Sequence, residues 1–272
     1  TRCLVGSEMC IRDSGNPLQG LRKVALTSNG VLLTQERARA LRAAGLERIT
    51  ISLDAVEGEV VARMAGLRGG EPAGTRLIQQ VLAGLEAARS AGFDPAVGAL
   101  KLNAVIQRGV NDDQLIPLAM LARQQGLELR LIEFMDVGNR NGWAMEQVLP
   151  AAVMVDRISR QWPLSSLGRS PGGTALRWRY RDGVAAIGVI ASITEPFCGD
   201  CNRLRITADG QAFTCLFAAR GTDLKPALTS DDDLEREICA LWQRRLDQYS
   251  EEGRGQTAFG TSSHAEMAYL GG

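Results

Sequence analysis

Cys198, Cys201 and Cys215 are the residues whose types and spacing best suit chemistry. The first two stand in Cys198-Gly199-Asp200-Cys201, so a single turn can offer both thiols to one metal site. After thirteen intervening residues Cys215 returns from the next predicted hairpin. His264 is the one histidine of the chain, which makes a nitrogen ligand from elsewhere improbable. Three thiolates are one short of the Cys₄ complement of a closed iron–sulfur cluster or structural zinc site. The missing ligand predicts a position left open for substrate or water. Arg203 and Arg205 follow the second cysteine, and a strand over residues 202–207 would put both on one face. Two guanidiniums beside an under-ligated metal suit an anionic substrate such as a polyphosphate. The same residues also allow plainer readings: a three-cysteine zinc knuckle with solvated arginines, or a chance disulfide.

The composition narrows the class of partner. The chain has 272 residues, 45% hydrophobic and 23% charged, with a formal net charge of zero. That length allows one large or two ordinary domains. A balanced charge supplies no long-range field toward nucleic acid or an anionic membrane. No run of 18 apolar residues and no signal-peptide pattern occurs. A cytoplasmic, reducing location is therefore expected, where clustered thiols bind metal rather than pair. Cys239, in a helical stretch, reads as a buried small apolar residue. Residues 1–14, TRCLVGSEMCIRDS, lead into no periodic element and resemble translated sequencing-adapter read-through. They are expected to be a non-native leader, so that Cys3 and Cys10 are not ligands and the natural N-terminus is lost.

The elements that must position these groups alternate between strand and helix. Strands are predicted over residues 22–28, 48–53, 99–106 and 128–134. Between them lie helices over 34–44, capped by Thr34, over 75–90 after a glycine-rich loop from 66 to 74, and from Asn111 to about Gln125. This order implies parallel strands with right-handed crossovers, which carry active groups at strand C-terminal ends. Those ends include Thr27, Ser52 to Asp54, and Glu133 to Met135, with Lys101 and Asn103 on the third strand. Polar groups within apolar strands are more often satisfied structural residues than catalysts. Beyond about Pro150 the texture changes. A helix over 153–161 and a Ser/Gly/Pro loop over 165–174 precede antiparallel strands over 175–180 and 184–190. The cysteine hairpin follows, then helical signals over 224–227 and 232–245. Domains are expected over 15–150 and 151–272, the second carrying the metal site.

The motifs LRLIEFMDVGNRNGW (129–143), FCGDCNRLRITADGQAFTCLF (197–217) and terminal YLGG (269–272) are similar to those of the GTP 3′,8-cyclase family. TSNG (27–30), SLDA (52–55) and KLNAVIQRGVNDDQ (101–114) agree in order, so the resemblance covers roughly residues 15–272. These are radical S-adenosylmethionine enzymes that open molybdenum cofactor biosynthesis. They convert GTP to (8S)-3′,8-cyclo-7,8-dihydroguanosine 5′-triphosphate. The resemblance implies an α/β fold: a radical S-adenosylmethionine barrel and a smaller α+β domain with an auxiliary [4Fe–4S] cluster. It implies Cys198, Cys201 and Cys215 as the auxiliary ligands. Thr27, Lys101, Arg203, Leu204 and Arg205 would contact GTP, and Ser52 and Met135 S-adenosylmethionine. Gly271 and Gly272 would form a tail reaching into the active site. The family is commonly dimeric and passes its product to cyclic pyranopterin monophosphate synthase.

One departure is large. The family's Cys-x3-Cys-x2-Cys loop, which holds the cluster that binds S-adenosylmethionine, occurs nowhere in the 272 residues. A partial barrel lacking its first two strands is therefore expected, and a chain inactive as it stands, with no residue given a catalytic role. Gly69-Gly70-Glu71-Pro72 spells the family's GGEP motif, but it follows SLDA, where the family has it before TSNG, and is read as coincidence. The alternative is a non-enzymatic iron–sulfur or zinc-binding module. Against electron transfer stand the missing ferredoxin spacing and fourth cysteine; against a nucleic-acid module stands the balanced charge.

Overall fold

Alternation along the strands decides which side chains enter the core and which are left to make a site. The computed structural model describes residues 24–137, 142–245, 265 and 269. The expected leader with Cys3 and Cys10, His264, Gly271 and Gly272 lie outside the described residues. Five strands, β1 (Ala25–Ser28), β2 (Arg48–Ser52), β3 (Leu100–Ile106), β4 (Glu128–Glu133) and β7 (Ala186–Ile190), run parallel. β6 (Leu176–Tyr180) and β5 (Leu164–Arg169) extend the sheet antiparallel, giving the order β1-β2-β3-β4-β7-β6-β5. The result is a mixed α/β fold with a largely parallel sheet, and that sheet continues well past residue 150.

On β3 the residues Leu100, Leu102, Ala104 and Ile106 are buried, while Lys101, Asn103 and Val105 between them are less so. The buried set joins one cluster with Ile49, Ile51, Leu129 and Leu131 of the sheet. Leu41 of α1 (Gln35–Ala43), Val81 and Leu85 of α3 (Gly70–Ser90), Leu118 of α4 (Leu115–Gln124) and Met154 of α5 (Ala151–Gln161) complete it. Each such leucine contributes about 1.5–3 kcal/mol. Residues at the alternate positions, Thr50, Lys101, Asn103 and Arg130, therefore face the opposite side.

Local chemistry explains most boundaries. Thr34 caps α1 by accepting from Arg37 N at 3.2 Å, as its sequence predicts. The glycine-rich stretch differs from expectation: α3 begins at Gly70, not after Gly74, and α2 (Gly58–Met64) precedes it. A Cβ on Gly74 would lie 1.8 Å from the Gly58 carbonyl oxygen, and one on Gly84 2.2 Å from that of Gly30. These glycines let helix and backbone touch, so a pattern that reads as loop is a packing surface. Asn111 stands at the N-cap of the 3₁₀ turn Asp112–Gln114, but its side chain does not cap that turn. Its side chain donates to the carbonyls of Asp54 and Val105 at 2.7 and 2.8 Å and accepts from Gln107 N. The expected loop at 165–174 is in its first half strand β5, whose exposed residues lack alternation because it is an edge paired only with β6.

The chain then forms a small antiparallel sheet of β8 (Arg205–Ile206), β9 (Gln211–Phe213) and β10 (Thr222–Asp223), followed by α6 (Asp231–Gln243). Cys239 is exposed on α6, not buried as its apolar neighbours suggest, because this helix buries no residue. Among the described residues no helix is long and apolar enough to cross a membrane.

Candidate functional site: a cationic cavity beside a three-cysteine hairpin

The polar face of the sheet is arranged in rows set by strand register. Thr27 pairs with Thr50, Thr50 with Lys101, and Lys101 with Glu128. One step toward the strand ends, Ser52, Asn103, Arg130, Gly188 and Arg177 form the next row. Thr27 and Lys101 thus share a row with Thr50 between them, and Ser52 shares a row with Arg130. Met135 follows β4 and accepts from Val137 N at 2.9 Å.

A cavity of about 1220 Å³ lies over the strand N-terminal halves, lined by Arg48, Lys101, Glu128, Arg130, Arg177 and Arg179 among others. Glu128 is 7% exposed and accepts from Lys101 Nζ at 2.9 Å and from Arg177 Nη2 at 2.7 Å. Burial alone would raise its carboxyl, but Lys101 and Arg177 outweigh that and hold it below the usual range. For Lys101 burial prevails over the attraction of Glu128 and lowers its ammonium. Arg130 donates to Thr174 Oγ1 at 2.9 Å. Burial, then the neighbouring Arg48, Arg177 and Arg203, lower it from its ordinary value. Arg48 Nε and Arg177 Nε are buried without an acceptor among the described residues. A buried cluster so rich in cations favours an anionic ligand.

The cysteine hairpin abuts this cavity. Gly172, on the cavity wall, leaves room for Asn202: a Cβ there would meet its Nδ2 at 2.9 Å. Cys198–Asp200 form a 3₁₀ turn closed by Cys201 N donating to Cys198 O at 3.2 Å. Strand β8 starts only at Arg205, so Arg203 and Arg205 do not share one strand face. They converge on the thiols all the same. Arg203 Nη2 donates to Cys201 Sγ at 3.0 Å, and its guanidinium lies 4.9 Å from the Phe197 ring centroid. Burial opposes ionisation of Cys201, but the backbone and side chain of Arg203 prevail and lower its thiol. Burial and Arg203 lower Arg205, while Cys201 and Cys215 both act to raise it, which puts two thiols near one guanidinium.

All three cysteines are half-buried and none is in a disulfide. Among the described residues no three Cys, His, Asp or Glu side chains are placed to grip a single ion. A four-iron cluster spaces its thiolates more widely than one ion does. The donor set, in which Arg203 favours the Cys201 thiolate, fits such a cluster. The set for a second cluster does not fit: Cys3, Cys10 and Cys239 have no suitable spacing. Other conspicuous polar groups are structural. Buried Glu133 accepts from Ala151 N, Ile193 N and Thr194 N at 2.9, 2.9 and 3.0 Å and from Thr194 Oγ1. Asp54 accepts from Val105 N at 2.8 Å, and burial pushes its carboxyl up. Tyr269 donates to Asp209 on the hairpin turn at 2.9 Å and meets the Phe213 ring edge-on.

Sequence reasoning missed Arg48, Glu128, Arg130, Arg177 and Arg179. The available signal was charge within parallel strands, which usually read as apolar runs, and the alternate arginines of Arg177-Trp178-Arg179.

Residues 7–122 match the Radical SAM superfamily, and residues 127–251 match Molybdenum Cofactor Synthesis C. A GTP 3′,8-cyclase of a Synechococcus species is 70% identical over 261 residues, 96% of this chain and 75% of that protein. Another, from Acidothermus cellulolyticus, is 45% identical over 94% of this chain and 75% of its own length. The relative from Xanthomonas campestris is 47% identical over 86% of this chain and 66% of its own.

Proposed function

The chain belongs to the GTP 3′,8-cyclase family of radical S-adenosylmethionine proteins, and on that premise we propose that it carries the family's auxiliary-cluster and GTP-binding half. The observation that carries this reading is the adjacency of two features. Arg203 bonds Cys201 Sγ, and Asn202 of the same hairpin abuts Gly172 on the wall of the cationic cavity. Cys198, Cys201 and Cys215 would hold a [4Fe–4S] cluster, which when bound would supply Lewis-acid chemistry beside the guanine. Arg203, Leu204 and Arg205 line the nucleotide beside it. Lys101 and Arg130 bind the phosphates as charge-assisted donors, each worth about 1.5–3 kcal/mol. Thr27, in the Lys101 row, contacts the nucleotide. Ser52 and Met135 stand where S-adenosylmethionine binds.

On this reading residues 151–272 form the cluster domain. Because the 272 residues hold no Cys-x3-Cys-x2-Cys set, they do not cleave S-adenosylmethionine by themselves. A location in the cytoplasm and a homodimer belong to the same proposal, as does, for the intact family enzyme, transfer of product to the next synthase. The test is anaerobic reconstitution with iron and sulfide analysis and an electron paramagnetic resonance spectrum, with and without GTP. About four irons per chain and a spectrum altered by GTP support it. Zinc in place of iron would favour a metal-binding module. Turnover of S-adenosylmethionine, or well over four irons, would overturn the half-site reading.

A further inference from the structure

The turn between β5 and β6 grips the cysteine hairpin on both flanks. β5 carries a bulge, its register shifting between Ser166 and Gly168, so that Arg169 stands opposite Leu176. A bulge re-aims the side chain that follows it. Leu176 alternates with Arg177, so Arg169 leaves the face that Arg177 presents to the cavity, and it does not line that cavity. It reaches instead the segment that enters the cysteine turn. Arg169 Nη2 donates to the Glu195 carbonyl oxygen at 3.3 Å, and its guanidinium lies 4.9 Å from the Phe197 ring centroid. Phe197 immediately precedes Cys198, and its carbonyl accepts from Asp200 N at 3.3 Å as the turn opens. On the far side of the turn, Gly172 lies against Asn202, the residue after Cys201. The gripping turn is itself anchored: Gly173 N donates to Ser170 O at 2.8 Å, and Thr174 Oγ1 accepts from Arg130.

Phe197 is also the surface on which Arg203 rests. The Arg203 guanidinium lies 4.9 Å from the same ring centroid while its Nη2 donates to Cys201 Sγ at 3.0 Å. Nε of Arg169 and Nε of Arg203 are both buried with no acceptor among the described residues, so the negative face of the ring takes an acceptor's place. A long guanidinium side chain does not hold one rotamer by itself, and Arg203 keeps its place on the sulfur only while the ring is fixed. We infer that Arg169 is a positioning residue for the three-cysteine site: it fixes Phe197, and the ring in turn holds Arg203 on the Cys201 sulfur. This rests on the reading that the three thiols hold a [4Fe–4S] cluster. A hydrogen bond to a ligating sulfur stabilises the reduced, more negative cluster and raises its potential, so Arg169 raises that potential through Arg203.

The experiment is a dye-mediated redox titration of the anaerobically reconstituted full chain, followed by electron paramagnetic resonance, with iron content measured alongside. Wild type is compared with Arg203→Met, Arg169→Met, Arg169→Lys and Phe197→Leu, all expected to keep about four irons. Arg203→Met should lower the midpoint potential most. Arg169→Met should lower it by a smaller amount and move the spectrum in the same direction. Arg169→Lys should do so too, because an ammonium keeps the charge but lacks the planar fork that serves the carbonyl and the ring together. In a Phe197→Leu background Arg169→Met should add nothing. A wild-type potential in Arg203→Met or Arg169→Met overturns the inference. So does a wild-type potential in Arg169→Lys, or an undiminished Arg169→Met shift beside Phe197→Leu, since each marks a charge effect in place of positioning. With four irons in the wild type, any of these results leaves the cluster reading intact. If Arg169→Met is misfolded by thermal melting or takes up no iron, Arg169→Lys decides by the same criterion. If the wild type takes up no iron, the cluster reading falls and hydrogen exchange of the apo chain judges the grip. Faster exchange over residues 195–203 in Arg169→Lys, with β2–β4 unchanged, upholds it, and equal rates overturn it.

Discussion

The central sheet and the cysteine hairpin are held by different forces. On the sheet, Ile49, Ile51, Leu100, Leu102, Leu129 and Leu131 are fully buried, and apolar burial alone specifies strand register. Around the cysteines, β8, β9 and β10 have two or three residues each, and α6 buries none. That region buries only a few apolar side chains, Ala212, Phe213, Phe217 and Leu224, and adds polar ties: Arg203 to Cys201 Sγ, Arg245 Nη1 to Cys201 O at 2.6 Å, and Gln211 N to Thr207 Oγ1 at 3.0 Å. The contrast teaches that the sheet is ordered by a large apolar core, whereas the hairpin supplements a small one with polar ties and the group its thiols would bind.

Removing a thiol should break the comparison most sharply. Cys201→Ser is expected to drop reconstituted iron from about four per chain to below about one. Hydrogen exchange should quicken across residues 197–217 and stay unchanged over β2–β4; iron retained at the wild-type level would count against the thiol's role. Next in size are paired truncations. Leu102→Ala should cost about 2–5 kcal/mol in denaturant unfolding, and Leu234→Ala, half-buried on α6, less than about 1 kcal/mol. Equal losses would erase the distinction between the two regions.

Acid should act on the sheet through Glu128. Its folded carboxyl is held low by Lys101 and Arg177, so its stabilisation is fully present above the usual glutamate value of about 4.3. That stabilisation drains away as pH falls below this value toward the lower folded value. Melting temperature against pH should therefore have a shallower acid limb in Glu128→Gln than in wild type, and parallel limbs would refute the pairing. The smallest effect is expected at the chain end. Tyr269→Phe removes the hydroxyl that reaches Asp209 and should speed carboxypeptidase trimming without moving the melting temperature. Identical trimming rates would mean that this hydrogen bond does not restrain the tail.

Legibility in the sequence followed the same division. Strands β2 to β4 stand within a residue or so of expectation because apolar runs bounded by Asp54, Gly98 and Gly126 are strong local signals. The cap at Thr34 was readable for the same reason. The Gly70–Gly74 segment was not, since only the approach of the Gly58 carbonyl reveals why it lacks side chains. β5 was not, since an exposed edge strand has no apolar period to read. Of the site, the three cysteines and Arg203, Arg205, Lys101 and Thr27 were visible as motif residues. Glu128, Arg130 and Arg177 were invisible as a group because they come from three strands, and register alone makes them neighbours.

Covalent order thus determined the thiol spacing, the arginines next to it, the alternation that sorts each strand into a core face and a polar face, and the family motifs. These are local properties, carried by residues a few positions apart. Tertiary structure decided that β7 docks beside β4, which joins residues 164–190 to the same sheet. It also decided that Lys101 and Arg177, 76 positions apart in the sequence, grip one carboxylate. Long-range pairing of that kind depends on which apolar faces can be buried together, and no local pattern encodes it.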